Sequence, residues 1–252
     1  MRIAFISDMH GNAVAFEEVV KDLEDQSPDA VVCLGDIVMK GPQPKECMNL
    51  LNSLKPISVI RGNHEHLYTR YQKGSNPNSF KDILTSESIK YDQQYLSIKE
   101  QEWLSNLPEN ETLTFSDRKI DIFHASPKSL NEVIFPWAPI EDVDKLYLES
   151  TSDFSFYGHV HHAFVRNSTY RTIVNAGSIG LPFDKDNRAS YAILDIGTKG
   201  SSVQLRRVQY NVEKAINIAY DRKMPFAHMF EYALRKAEYP YIEQLFSSAT
   251  DQ

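Results

Sequence analysis

The sequence predicts an α/β fold: an αββα sandwich of two mixed β-sheets flanked by helices, with a helical insertion as a lid. Three observations predict it. Apolar runs alternate with helical stripes over the first third of the chain, later runs read as strands, and no linker divides the 252 residues. Strands alternating with amphipathic helices imply βαβ units and parallel strands.

The first strand is Ile3–Ile6, ended by Ser7-Asp8. Asn12 caps a helix with Phe16, Val19, Val20 and Leu23 at i, i+3, i+4 and i+7. A second run, Ala30–Leu34, stops at Gly35-Asp36, and Pro42 and Pro44 open a helix striped by Cys47, Leu50, Leu51 and Leu54. A third run, Ile57–Ile60, stops at Arg61-Gly62-Asn63-His64. Residues 65–95 are polar, Tyr-rich and weakly periodic, as expected of a helical insertion. Ser97 and Glu100 form a capping box before Trp103, Leu104 and Leu107, so a helix ends near Pro108. Strands are expected on both sides of Ser116-Asp117, then at Phe154–Tyr157, Arg171–Val174, Tyr191–Asp195 and Val203–Val208. A second insertion covers residues 126–152, and the tail 212–252 is helical to about Ala237 with a break at Pro225. The whole reads as one domain, 1–252.

Composition narrows the function. At 42% hydrophobic residues the chain can bury a sizeable core. Its formal charge of −7, with no Lys/Arg run, disfavours long nucleic acid as a partner, whereas bound divalent cations would open the site to small anions. Cys33 and Cys47 fit neither a disulfide framework nor a metal-binding pair and are expected as buried, reduced thiols. The opening MRIAFISDMH is too short and too soon charged for a signal peptide, and no apolar stretch approaches the ~20 residues of a membrane span. A soluble cytoplasmic protein without membrane contact is the expectation.

The chemistry-bearing residues stand in five blocks, each after a strand-like run: Asp8-Met9-His10, Gly35-Asp36, Gly62-Asn63-His64-Glu65, His124 and Gly158-His159-Val160-His161. Residues just past the carboxyl ends of parallel strands converge in one crevice. The glycines allow tight turns with no Cβ in the way. In Asp8-x-His10 and His159-x-His161 an extended backbone would turn both side chains to one site. Carboxylate, amide and imidazole together suit transition-metal ions, and two such ions about 3.5–4 Å apart activate a bridging water and clamp phosphoryl oxygens. Taken singly, each residue has a plainer role: a strand-end Asp is usually a turn residue or cap, an Asn after Gly a turn former, an isolated His a hydrogen-bonded, partly buried one. Coincidence decides, because five of the eight histidines fall in these blocks.

The ordered set D-x-H, G-D, G-N-H-E, H and G-H-x-H resembles the calcineurin-like metallophosphoesterase superfamily. Ser7–Asn12, Gly35–Val38, Asn175–Pro182 and Arg188–Tyr191 extend the similarity to its small bacterial phosphodiesterase branch. The C-terminal third is also similar to streptococcal asymmetrical dinucleoside tetraphosphate hydrolases. The resemblance implies one divalent ion on Asp8, His10, Asp36 and His161, and another on Asp36, Asn63, His124 and His159, with Asp36 bridging. It implies Mn²⁺ first, with Fe, Zn or Ni as alternatives. It places His64 against the substrate, protonating the leaving oxygen or steadying phosphoryl charge, and Asn12 and Arg61 as supporting or phosphate contacts. Ser178 falls near the site on the same analogy, and Glu65, His66 and His162 in outer or surface positions. Three residues depart from the branch: Ala176 stands where Pro is common, Ser126 where Gly-Ser is common, and Phe183 where an Arg is frequent.

The implied function is hydrolysis of a phosphodiester or phosphoanhydride, in a small phosphorylated substrate such as a nucleotide, by metal-activated water between the ions. Tyr68, Tyr71, Phe135 and Trp137 in the insertions are placed to stack a base or to pack the insertions themselves. The alternatives are a phosphomonoesterase or phosphoprotein phosphatase with the same metals, and a non-catalytic scaffold like the retromer subunit of similar fold. Such scaffolds lose the catalytic histidine and some ligands; this chain keeps His64 and all seven.

Overall fold

Along the first strand, β1 (Arg2–Ile6), side chains divide between two apolar layers, and that division organises the molecule. Ile3 and Phe5 pack with Ile120, Ile122, Phe156 and Val174, whereas Ala4 and Ile6 pack with Phe16, Val19 and Cys47. Successive residues of a strand face opposite ways, so β1 is covered by a second sheet on one side and helices on the other. The computed structural model describes residues 1–71, 79–115, 117–146, 150–169 and 171–240.

The first sheet runs β10 (Gly200–Val208), β9 (Ala189–Gly197), β1, β2 (Ala30–Cys33), β3 (Ser58–Val59). The second runs β4 (Asn110–Phe115), β5 (Arg118–Phe123), β6 (Phe154–Tyr157), β8 (Thr172–Asn175), β7 (Phe164–Asn167). Both are mixed: β1, β2 and β3 are parallel, as are β5, β6 and β8, with antiparallel strands outside them. Phe5 stacks on Phe156 across the seam with centroids 3.7 Å apart, fixing how the sheets meet.

Helices α1 (Ala13–Gln26) and α2 (Pro44–Leu54) cover the first sheet. Asn12 caps α1 by accepting the Ala15 N–H at 3.2 Å, and the Ser97–Glu100 capping box opens α5 (Ile98–Ser105), both as expected. The insertion after β3 carries α3 (Asn63–Tyr71) and α4 (Phe80–Asp92). It is helical, but Tyr68 does not roof the site: it is fully buried in the α1–α2 core and donates to Asp92 Oδ2 at 2.5 Å. A phenol with so close a carboxylate partner is satisfied inside the protein. The Tyr71 side chain lies outside the described residues. On the far side α6 (Ile140–Leu146) supplies Val143 to a cluster with Phe123, Tyr157 and Ile173. Helices α7 (Val212–Asp221) and α8 (Ala227–Lys236) pack together on either side of the Pro225 break. Cys33 and Cys47 are free and buried. No helix among the described residues is long and apolar enough to cross a membrane.

Two elements have no counterpart in the sequence reading. β7 is a four-residue edge strand with alternating exposure, and α6 has seven residues; neither spans enough of its period to stand out.

Candidate metal centre

Each expected ligand follows a strand: Asp8 and His10 after β1, Asp36 after β2, Asn63 after β3, His124 after β5, His159 and His161 after β6. The expectation that Asp8-x-His10 and His159-x-His161 are extended is not met. Asp8, His10, Asp36, His159 and His161 all adopt left-handed backbone, with φ of 54°, 46°, 52°, 64° and 55°. An extended segment would carry its second side chain about 6–7 Å onward; left-handed turns fold the loop back so that both stay at one spot. Asp and His tolerate this region better than most residues.

The loops are tied to one another. Asp8 N–H donates to Gly35 O, and His10 N–H to Asp36 O, each at 3.0 Å. A Cβ on Gly62 would lie 2.0 Å from Asp36 Oδ1, and one on Gly158 would lie 2.0 Å from Ser7 Oγ and 2.3 Å from Asp8 Oδ2. These two glycines are required for the loops to approach.

Seven side chains converge. His161 Nε2 lies 3.1 Å from Asp8 Oδ1 and 3.3 Å from His10 Nε2. Asp36 Oδ2 lies 3.5 Å from His10 Nε2 on one side and 3.3 Å from His124 Nε2 on the other. Asn63 Oδ1 is 3.1 Å from His124 Nε2 and 2.9 Å from His159 Nδ1. Asp36 therefore stands between two donor sets. His64 Nε2 is 3.9 Å from Asp36 Oδ2, and its backbone N–H donates to Asp36 Oδ1 at 2.9 Å. Asp8–His10–His161, Asp8–Asp36–His124 and His10–Asp36–His64 each bring three donor atoms within 4.8 Å of one another.

The set fits a cation. Carbonyl oxygens only accept, so the contacts of His124 Nδ1 with Leu34 O (2.8 Å) and of His161 Nδ1 with Leu181 O place the proton on Nδ1. In the neutral rings this turns the Nε2 lone pairs into the cluster, the tautomer a metal needs. For His161 that lone pair then faces the Asp8 carboxylate at 3.1 Å, two acceptors that a cation would reconcile. Asp8 Oδ1 is otherwise without a hydrogen-bond partner among the described residues. Burial disfavours the charged forms of Asp8 and Asp36, yet the surrounding imidazoles outweigh it and hold both below the usual carboxylate range. Burial also opposes the His124 imidazolium, but Asp36 and Asp8 lift its pKa to about 10. A proton held that firmly on Nε2 marks an excess of negative charge at the centre.

The other residues singled out in the sequence lie around these seven. Asn12 spends its oxygen on the α1 cap, and its amide donates to Gly180 O at 3.0 Å. The Arg61 guanidinium donates to Ser105 O at 3.0 Å and pairs with Glu109. Ser178 braces the site, donating to Asp8 O at 2.7 Å. His66 is exposed and His162 half-buried. Glu65, expected in an outer or surface position, takes the outer one: it is wholly buried and accepts the N–H groups of Asp36, Ile37 and Gly62 at 2.8, 2.7 and 2.7 Å. It clamps the Asp36 and Asn63 loops to each other. Phe183 stacks on the His161 ring, centroids 4.3 Å apart. Sequence reasoning missed Lys40, a half-buried cation in left-handed backbone (φ 68°) four residues past Asp36. Burial, the largest influence, lowers its pKa below the ordinary lysine value, with Asp36 and Asp8 opposing the fall. A lone Lys after the apolar run Ile37–Met39 was the signal available.

Comparison with known proteins agrees with this arrangement. Residues 1–199 match the family model described as the calcineurin-like phosphoesterase superfamily domain. An uncharacterized protein of Methanocaldococcus jannaschii is 30% identical over 252 residues, covering 88% of this chain and 93% of that one. A metallophosphoesterase from Sphaerobacter thermophilus superposes with a TM-score of 0.73 at 25% identity, covering 94% of this chain and 99% of the other. A hypothetical protein from Pyrococcus horikoshii shares the fold at a TM-score of 0.80, with 20% identity over 95% of this chain and 98% of its own.

Proposed function

Since the chain belongs to the calcineurin-like phosphoesterase superfamily, we propose that it hydrolyses a phosphodiester or phosphoanhydride bond in a small phosphorylated substrate, using two divalent cations. The observation that carries this reading is Asp36 Oδ2, set between His10 Nε2 at 3.5 Å and His124 Nε2 at 3.3 Å, each within a different donor set. Asp8, His10, Asp36 and His161 would hold one ion, and Asp36, Asn63, His124 and His159 the other. When bound, such a pair acidifies water and neutralises phosphoryl oxygens. The mixed oxygen and imidazole donors suit Mn²⁺, Fe, Zn or Ni; Mn²⁺ is the first to test. Buried, reduced Cys33 and Cys47 accord with a cytoplasmic setting.

The chain's own residues do the rest. Glu65 and the left-handed turns hold the donor atoms in place before substrate arrives, so little reorganisation is left for the reaction. Burial pushes the His64 pKa down to about 3, with Lys40 adding to the fall and Asp36 opposing it, so the free ring is neutral at pH 7. It then offers an N–H hydrogen bond to the leaving oxygen, and an arriving phosphoryl anion favours its protonation. Lys40 adds a cation for the phosphoryl charge.

Elemental analysis and anomalous scattering of protein loaded with Mn²⁺ should give two ions per chain, sharing Asp36. One ion per chain, or ions lacking Asp36 as a common ligand, overturns the two-metal reading. Activity is tested on a panel of diesters, dinucleoside polyphosphates and monoesters, and preference for monoesters would overturn the bond type. Lys40→Ala should lower kcat/KM roughly 10–150-fold, the equivalent of a charge-assisted hydrogen bond of about 1.5–3 kcal/mol, and Lys40→Arg should restore most of it. Equal kinetics for Lys40→Ala and the parent would remove Lys40 from the site.

A further inference from the structure

We propose that Trp137, stacked on Phe135 beside His162, is a platform for a nucleobase, so that the phosphoester cleaved at the metal centre belongs to a nucleotide. This deepens the hydrolase reading and rests on it.

Strand order and one residue of sequence tie the platform to the metal centre, while Phe135 anchors it on the cluster of Phe123, Tyr157 and Ile173. β5 and β6 are parallel neighbours, and His124, His159 and His161 follow their carboxyl ends. The segment carrying Phe135 and Trp137 continues the loop after His124, and His162 directly follows His161. The two loops meet at these aromatics. The Phe135 and Trp137 rings lie nearly parallel, 12° apart with centroids at 4.8 Å. The His162 ring sets its edge against both, at 5.3 Å from Phe135 and 5.5 Å from Trp137.

The segment is also held from within. Tyr157 donates its hydroxyl to Ile134 O at 2.8 Å. Arg166 reaches the carbonyls on both sides of Trp137, donating to Pro136 O at 3.3 Å and to Ala138 O. Flanked by these bonds, Trp137 remains 69% exposed. A large ring fixed in place yet left in water is prepared for a partner rather than for the core.

The size of the exposed surface chooses the partner. Among the described residues of this segment, Val133 is the other large exposed apolar side chain. One indole and one valine fall far short of the ~800 Å² per partner that a stable protein interface buries. A single indole face matches a single base, and stacking on it is tolerant of base identity because every base has a π-face.

The test uses two esters with one leaving group: adenosine 5′-(p-nitrophenyl phosphate) and methyl p-nitrophenyl phosphate, with Mn²⁺-loaded protein. The parent should prefer the adenosyl ester, and Trp137→Ala should shrink that preference, as a ratio of kcat/KM, by roughly 5–150-fold. Trp137→Phe should recover most of it. An unchanged ratio, or equal loss on both esters, overturns the platform. A second readout needs no turnover. The chain has two tryptophans, so Trp103→Phe leaves Trp137 as the one indole, and AMP should quench its fluorescence with or without metal. Absence of quenching at saturating AMP also overturns the proposal. If the parent leaves the methyl ester intact while AMP still quenches Trp137, the hydrolase reading fails and the base site stands.

Discussion

Asp36→Asn is expected to lower turnover by about 10³-fold or more and to deplete bound metal, a larger loss than substitution of any ligand at the rim of the site. Loss of one preorganised electrostatic contact costs about 10²–10³-fold in other enzymes, and Asp36 serves two donor sets at once. Its Oδ2 lies within 3.5 Å of both His10 and His124, and its Oδ1 accepts the His64 N–H at 2.9 Å. An amide keeps the shape and the Oδ1 acceptor, so the fold should persist by circular dichroism. It removes the negative charge that would offset repulsion between neighbouring cations, and it turns an N–H toward two imidazoles. His159→Ala, which removes a donor from one set alone, should do less harm. Near-normal turnover with full metal content in Asp36→Asn would contradict the bridging assignment.

His64→Ala should lower turnover by about 10²–10⁴-fold, the range for a positioned acid or base, with metal content unchanged. His64 lies 3.9 Å from Asp36 and its Nδ1 has no hydrogen-bond partner among the described residues. That leaves the ring available to a substrate oxygen. The leaving group separates its two roles. If His64 supplies a proton, an alkyl ester should suffer more than a p-nitrophenyl ester, whose anion departs unaided. Equal losses would assign the ring to electrostatic stabilisation, the role that its neutral form at pH 7 supports. Loss of metal from His64→Ala would instead make it a ligand, as the His10–Asp36–His64 grouping allows.

Much of this was readable in the chain because it is carried by short-range pattern. The strand runs, the Asn12 cap, the Ser97–Glu100 box and the five ligand blocks are local signals. What escaped depends on tertiary contact. Tyr68 reads as an aromatic that stacks a base or packs the insertion, yet α3 turns it into the core toward Asp92. Glu65 reads as an outer or surface residue, and only the folded loops choose between the two by showing three backbone N–H groups waiting for it. Backbone handedness is hidden as well: D-x-H spacing fits an extended strand or a left-handed turn, and the closure of the loops selects the turn. Phe183, noted as a departure from an expected Arg, acquires a role once its ring is seen against His161.

The centre straddles the seam between the sheets: Asp8, His10, Asp36 and Asn63 hang from the first, His124, His159 and His161 from the second. Cations bound there would act as rivets. A ligand that binds the native state alone adds RT ln(1 + [L]/Kd) to its stability, and here that gain would fall on the docking of one sheet against the other. Because Asp8 and His161 are 153 positions apart in sequence, the complete set of donors requires a long loop to close, a step that costs chain entropy. A nascent chain ending before β5 would bring four donors without the three imidazoles of the second sheet. A complete set of donors would thereby be offered only by chains whose two sheets have already joined.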